Sequence, residues 1–416
     1  MENNEAIERL NKLENAEADA NGMEAGLKKK KLILISILVV VLIIVIIIIL
    51  IFTVFKKDTQ SNSEGQNDSD SISELDTITK QEMDKARNSF QQFKYTDSEN
   101  SSYTLDYNLF IPANYGADKK YPLIMFIEDG SLVGTDEKIA LTNTVGGPIW
   151  ATETEQKKHE SFVLVPQYSD VLIDDNRGYT KSEYINVTYR LIKDLIGNYS
   201  IDSNKIYCTG QSMGAMTTLY FLANYPGFLA AGLVVDGQWK IDELSGLINA
   251  KFTYFAAGGD QKAFNGQTQV KEFLNSSQMS YGELTDLDAK DEIGKLNNFT
   301  KGMYDSKYSY NFITYKKGTV LPANDENANE HMSSFKYGYR IDAVRDWLFE
   351  QNKVKCEDGS YYSEDGKCAD TNYCKITNND LSCKECIFGY YLNLVKGGCT
   401  KVENCKTGNK SSGECN

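Results

Sequence analysis

The chain has 416 residues, more than one ordinary domain needs, and 44 Lys and Arg against 58 Asp and Glu give it a formal net charge of −14. That acidity excludes a nucleic-acid binder, because neutralising phosphates takes a Lys/Arg excess, and it disfavours strongly anionic substrates. With only two histidines in the chain, any imidazole chemistry falls to His159 or His331.

Residues 1–31 are polar and mostly acidic and end in four lysines, Lys28 to Lys31. From Leu32 to Phe55 the only polar residues are Ser36 and Thr53. A helix of that length, at about 1.5 Å per residue, crosses a hydrocarbon core of roughly 30 Å with some tilt. The run is too long for a signal peptide and no small-residue cleavage site follows it. More lysines precede the span than follow it, so residues 1–31 are expected in the cytoplasm and the rest outside, as in a single-pass type II membrane protein. Residues 56–85, rich in Ser, Asp, Asn and Thr, read as a flexible stalk.

Between residues 86 and 352 short apolar runs alternate with helical patterns, the signature of an α/β sheet. The expected strands are Tyr103–Ile111, Leu123–Ile127, Phe162–Val165, Lys205–Thr209, Leu229–Val235, Phe252–Ala256 and Tyr310–Tyr315. Nearly continuous apolar runs point to strands covered on both faces. Helices are expected over 182–196, 215–225 and 341–351, and the long polar segment 278–308 is expected to cap the site.

Within this region Gly210-Gln211-Ser212-Met213-Gly214 matches the G-x-S-x-G nucleophile elbow. A buried strand precedes it and a helix follows. That setting lifts the Ser212 hydroxyl above the sheet, at a helix N-terminus whose N–H groups can stabilise an oxyanion. A serine hydroxyl needs a base, usually a histidine held by a carboxylate, and in this architecture the chain order is Ser, acid, His. His159 precedes the serine in a polar stretch and is expected at the surface. His331 follows the last strand, in an expected loop before the final helix, and is the candidate base. The acid is Asp260, beyond the penultimate strand, with Asp236 as the alternative. The first oxyanion donor is the N–H of Met213. The second is expected near Asp129 or Gly130, where the strand Tyr121–Ile127 ends.

Eight of the nine cysteines lie beyond residue 355, and Cys208 stands alone in an apolar run, where it reads as a buried free thiol. Cys356, Cys368, Cys374 and Cys383 form one spacing unit. Cys386, Cys399, Cys405 and Cys415 repeat it, each unit carrying a Tyr-Tyr pair after its first cysteine. Residues 353–416 thus read as two tandem disulfide-bonded modules of an oxidising compartment, with a surface ligand as a possible partner. A zinc site at Cys383-x-x-Cys386 fits less well, since that pair straddles the two units. Sequons at Asn67, Asn100, Asn186, Asn198, Asn275, Asn298 and Asn409 agree with an extracellular or luminal location.

Several segments together resemble a family of secreted esterases known as predicted peptidases, related to polyhydroxybutyrate-depolymerase-like and prolyl-oligopeptidase-like α/β-hydrolases. They are Tyr121 to Ile127, Phe162 to Gln167, Ile201 to Tyr207 running into the elbow, Asn224-Tyr-Pro226, and His331 leading to Asp346-Trp-Leu-Phe349. The resemblance spans roughly residues 100–352. It implies an α/β-hydrolase fold, ester or peptide hydrolysis, no cofactor and no metal, and the triad Ser212, Asp260 and His331. One departure stands out: many members carry His-Gly where this chain has Glu128-Asp129. The cysteine modules resemble cysteine-rich repeats of protist surface proteins.

The expectation is therefore a membrane-anchored serine hydrolase acting on a small-molecule ester, a carbohydrate ester or a peptide, with esters preferred because no gating domain restricts access. The competing reading is an inactive hydrolase-fold adhesin or receptor.

Overall fold

The structure, a computed structural model, describes residues 77–353 apart from Thr135 and Arg177, and six short strands between residues 360 and 401. The expected cytoplasmic tail, the membrane span 32–55 and residues 56–76 of the expected stalk lie outside the described residues, as does most of the cysteine-rich segment; the rest of the expected stalk, up to residue 85, is instead ordered, with Ile78 and Met83 in the core. Among the described residues no helix is long and apolar enough to cross a membrane.

Helix α1 (Lys80–Arg87), capped by the Thr79 side chain, leads to strands β1 (Gln91–Thr96), β2 (Thr104–Phe110) and β3 (Tyr121–Ile127). Helices α2 (Ile139–Asn143) and α3 (Glu153–Lys158) precede β4 (Phe162–Gln167). A small hairpin, β5 (Ile173–Asp174) and β6 (Thr180–Lys181), is followed by α4 (Tyr184–Asn198), β7 (Ile201–Gln211), α5 (Met213–Asn224) and β8 (Ala231–Val235). Then come β9 (Phe252–Ala257), α6 (Gln261–Ser276), β10 (Gly282–Leu287), α7 (Ile293–Tyr304), β11 (Tyr310–Tyr315), α8 (Glu330–Arg340) and α9 (Asp342–Glu350).

One sheet of nine strands runs β1-β2-β4-β3-β7-β8-β9-β11-β10. The β1–β2 and β2–β4 pairs are antiparallel, and all other neighbours are parallel. Because side chains alternate across a strand, the sheet feeds two cores. Leu123, Met125, Ile127, Ile206, Cys208 and Phe312 pack with α4, α5 and α6. Ile124, Phe126, Tyr207, Val235, Phe255 and Tyr315 pack with α1, α7, α8 and α9. Cys208 is buried with a free thiol.

Each of the seven expected strands corresponds to an observed one. The cap expected over 278–308 is not formed. That segment builds β10, which extends the sheet in parallel beside β11, and α7, whose Leu296, Met303 and Tyr304 enter the core. It read as polar because β10 is an edge strand with a largely exposed face. Beyond residue 353 the backbone forms three antiparallel pairs, Ser360–Tyr362 with Cys368–Asp370, Cys374–Thr377 with Cys383–Cys386, and Tyr390–Asn393 with Gly398–Lys401. The two Tyr-Tyr pairs stand at matching places, each on the first strand of its pair.

Candidate active site

Strand β7 delivers Ser212 at the C-terminal edge of the parallel strands, one residue before α5 begins. Its backbone has φ 51° and ψ −114°, a conformation costly for a residue with a Cβ. The surroundings hold it there: the Ser212 N–H donates to the Val235 carbonyl at 3.1 Å and its own carbonyl accepts from Met216 N–H at 2.9 Å. The flanking glycines permit the turn for steric reasons. A Cβ on Gly210 would lie 2.4 Å from the Gly214 backbone, and one on Gly214 would lie 1.9 Å from the Ile127 carbonyl oxygen.

His331 occupies the first turn of α8, not a loop. Asn329 caps that helix, accepting from Met332 N–H at 2.9 Å, and this local bond starts the helix one residue before the histidine. Glu330 docks the turn: its two carboxylate oxygens accept the N–H groups of Gly259 and Gly318, each at 2.6 Å. The Gly259 bond ties α8 to the loop that carries Asp260. One Asp260 oxygen caps α6, accepting from Lys262 and Ala263 N–H, each at 3.2 Å. The other lies 2.5 Å from His331 Nδ1, and Nε2 lies 2.8 Å from Ser212 Oγ. With the carboxylate accepting from Nδ1–H, Nε2 is left as an acceptor for the serine proton. Burial pulls the His331 imidazole down, but the Asp260 hydrogen bond and the charges of Asp260, Asp236 and Asp129 outweigh it and hold it above its ordinary value.

The structure thus brings Ser212, His331 and Asp260 into one hydrogen-bonded chain. Asp236, the alternative acid, is not in that chain. It follows β8, and its Oδ1 accepts the Ala257 N–H at 2.7 Å, while Asp260 takes the place beside His331 Nδ1. His159 is not a free surface side chain either. Its ring stacks on Phe349 (centroids 4.6 Å apart, planes at 2°) and Nε2 contacts Asp346 at 2.8 Å. It lines a cavity of about 920 Å³ with Pro122 and Lys205. Pro122 is the second residue of β3, so this cavity opens at the end of the parallel strands away from Ser212.

On the other side of the serine, Met213 is the first residue of α5, where an N–H has no acceptor within its own helix. Gly130 adjoins it: a Cβ built there would stand 3.8 Å from the Met213 Cβ. Asp129 fixes the turn between them. Its Oδ2 accepts from Gln211 at 2.9 Å, the residue before Ser212, and its Oδ1 accepts from the Ser131 N–H at 3.0 Å. Glu128 is fully buried, and burial pushes its carboxyl up to about 9. The hairpin also reaches the elbow, where Leu172 N–H points at the Met213 sulfur at 3.4 Å. Sequence reasoning missed Glu330 and Gln211 as supports. Glu330 carried no signal, because its partners Gly259 and Gly318 lie in other segments. Gln211 sits at a variable position of its motif and carried none.

No protein-family model and no curated protein matches this chain. Among solved structures it is similar to a thermostable esterase, at 22% identity over 64% of each chain with a TM-score of 0.48. It is also similar to dipeptidyl peptidase 4 of Porphyromonas gingivalis, at 12% identity over 61% of this chain and 35% of that one, with a TM-score of 0.39. A mutant of the feruloyl esterase module from Clostridium thermocellum, complexed with sinapinate, is 15% identical over 65% of this chain and 91% of that one, with a TM-score of 0.35. The chain spans less than two thirds of the length of the first two.

Proposed function

We propose that this protein is a serine hydrolase of the α/β-hydrolase type that cleaves esters, or peptides, through an acyl-enzyme. One observation carries the reading: Ser212 Oγ, on a strained turn at a helix N-terminus, lies 2.8 Å from an imidazole whose other nitrogen lies 2.5 Å from a buried carboxylate. His331 Nε2 takes the proton as Ser212 Oγ attacks the carbonyl carbon. Asp260 stabilises the imidazolium, and the Met213 N–H, with a second donor from the Asp129–Gly130 turn, receives the oxyanion. The imidazolium then protonates the departing alkoxide or amine, and water repeats the cycle on the acyl-Ser212. The domain works outside the cytoplasm, held to a membrane by residues 32–55.

The test is labelling of the full chain with a fluorophosphonate probe, alongside turnover of a simple nitrophenyl ester. Labelling is expected in the wild type and absent in Ser212→Ala. Equal labelling of both proteins would remove Ser212 as the nucleophile.

A further inference from the structure

Asp236 lies among the segments that carry all three members of the hydrogen-bonded chain without belonging to it. It is 1% exposed and holds a left-handed backbone at φ 47°, a conformation strained for a residue with a Cβ. On one side, the carbonyl of the preceding Val235 accepts the Ser212 N–H at 3.1 Å. The following Gly237 presses on the same residue, since a Cβ there would lie 2.5 Å from the Ser212 carbonyl oxygen. In front, Asp236 Oδ1 accepts the N–H of Ala257, the last residue of β9, three residues before Asp260. Behind it lies Ser334 on α8, whose hydroxyl donates to the His331 carbonyl at 2.8 Å. The same Ser334 hydroxyl faces the Asp236 carboxyl and favours its charged form.

We propose that Asp236 is a positioning residue that registers the nucleophile, acid and base arms against one another, and that its charge adds to that of Asp260 on His331. The inference rests on the hydrolase reading above. A fully buried carboxylate is an expensive group to keep. Its charge is felt by the surrounding groups. Asp236 raises the imidazole of His331, and it faces Asp260 and the phenols of Tyr254 and Tyr315. Burial pushes its own carboxyl up to about 7.

The experiment uses the full chain and a nitrophenyl ester. Asp236→Asn keeps an oxygen for the Ala257 N–H and removes the charge. It is expected to lower kcat about tenfold, with KM unchanged, and to move the acid limb of kcat/KM to lower pH, because a charge that raised the base has gone. A merely structural residue would leave that limb in place. The second measurement needs no variant. The ring resonances of His331, one of only two histidines in the chain, should titrate in two steps in the wild type, one its own and one reporting Asp236. An active wild type with a single-step titration, or an Asp236→Asn protein with unchanged kcat and acid limb, overturns this proposal alone. A folded wild type that neither turns over the ester nor takes the fluorophosphonate overturns the hydrolase reading and this proposal with it.

Discussion

At the scale of residues, the departure Glu128-Asp129 resolves into two different groups. Asp129 spends its oxygens on Ser131 and Gln211. Glu128 points the other way. One oxygen accepts from Gln167 Nε2 at 3.2 Å and from Tyr168 N–H at 3.4 Å, and the other has no partner among the described residues. A carboxyl in that setting prefers to stay protonated. Its folded value, about 9, lies above its ordinary one, so between about 4.5 and 9 the folded chain holds a proton that the unfolded chain has lost. Stability should therefore fall as pH rises across that window. Glu128→Gln keeps an oxygen acceptor and cannot ionise. Thermal melts of wild type and variant should diverge with rising pH, the variant gaining at most about 1.4 kcal/mol of relative stability per pH unit. Melts that stay parallel from pH 5 to 9 would show that Glu128 is ionised in the fold.

At the scale of elements, the close approach of β3, β7 and α5 is the tightest requirement of the site. Gly214→Ala puts a methyl 1.9 Å from the Ile127 carbonyl, against backbone that cannot step aside. It should cost about 2–3 kcal/mol and most of the activity. Gly302, in α7, has nothing within 4 Å of a Cβ placed on it, so Gly302→Ala should instead stabilise by roughly 0.5–1 kcal/mol and leave activity untouched. Denaturant midpoints with unchanged slopes read both outcomes, and a Gly214→Ala protein as stable as the parent would contradict the packing described. The same contrast explains what was legible beforehand. β3, β4, β8 and β9 are almost wholly buried, and their apolar runs announce them. Ser212 was legible because the elbow needs glycines at fixed spacing, and His331 because so few histidines compete. β1 and β10, each with a solvent-facing side, look like loops in sequence. The helix around His331 was hidden because its start is set by Asn329 and by Glu330 reaching the Gly259 and Gly318 N–H groups, a contact between distant segments.

At the scale of the whole molecule, the proposed orientation across a membrane makes a prediction about the folded surface. If residues beyond 55 pass into a secretory compartment, their sequons meet the glycosylation machinery, and the fold decides which of them tolerate a sugar. Asn100, Asn198, Asn275 and Asn298 are exposed in the described domain. Asn186 differs. It is half-buried on α4, its Oδ1 accepts the Tyr225 hydroxyl, and its Nδ2 donates to Glu183 at 2.8 Å. A glycan there would take the Nδ2 and displace an aromatic cluster in which Tyr225 packs on Tyr189, Phe221 and Phe228. Expressed in a glycosylating cell, the full chain should lose mass in steps with endoglycosidase. Asn→Gln changes at 100, 198, 275 and 298 should each remove one step, and Asn186→Gln should remove none. An unglycosylated chain in that cell would place the described domain on the cytoplasmic side and reverse the topology argued from the lysines, while leaving the chemistry proposed for Ser212 untouched. A step lost with Asn186→Gln would instead mean that α4 and the Tyr225 cluster open far enough during synthesis to admit the sugar.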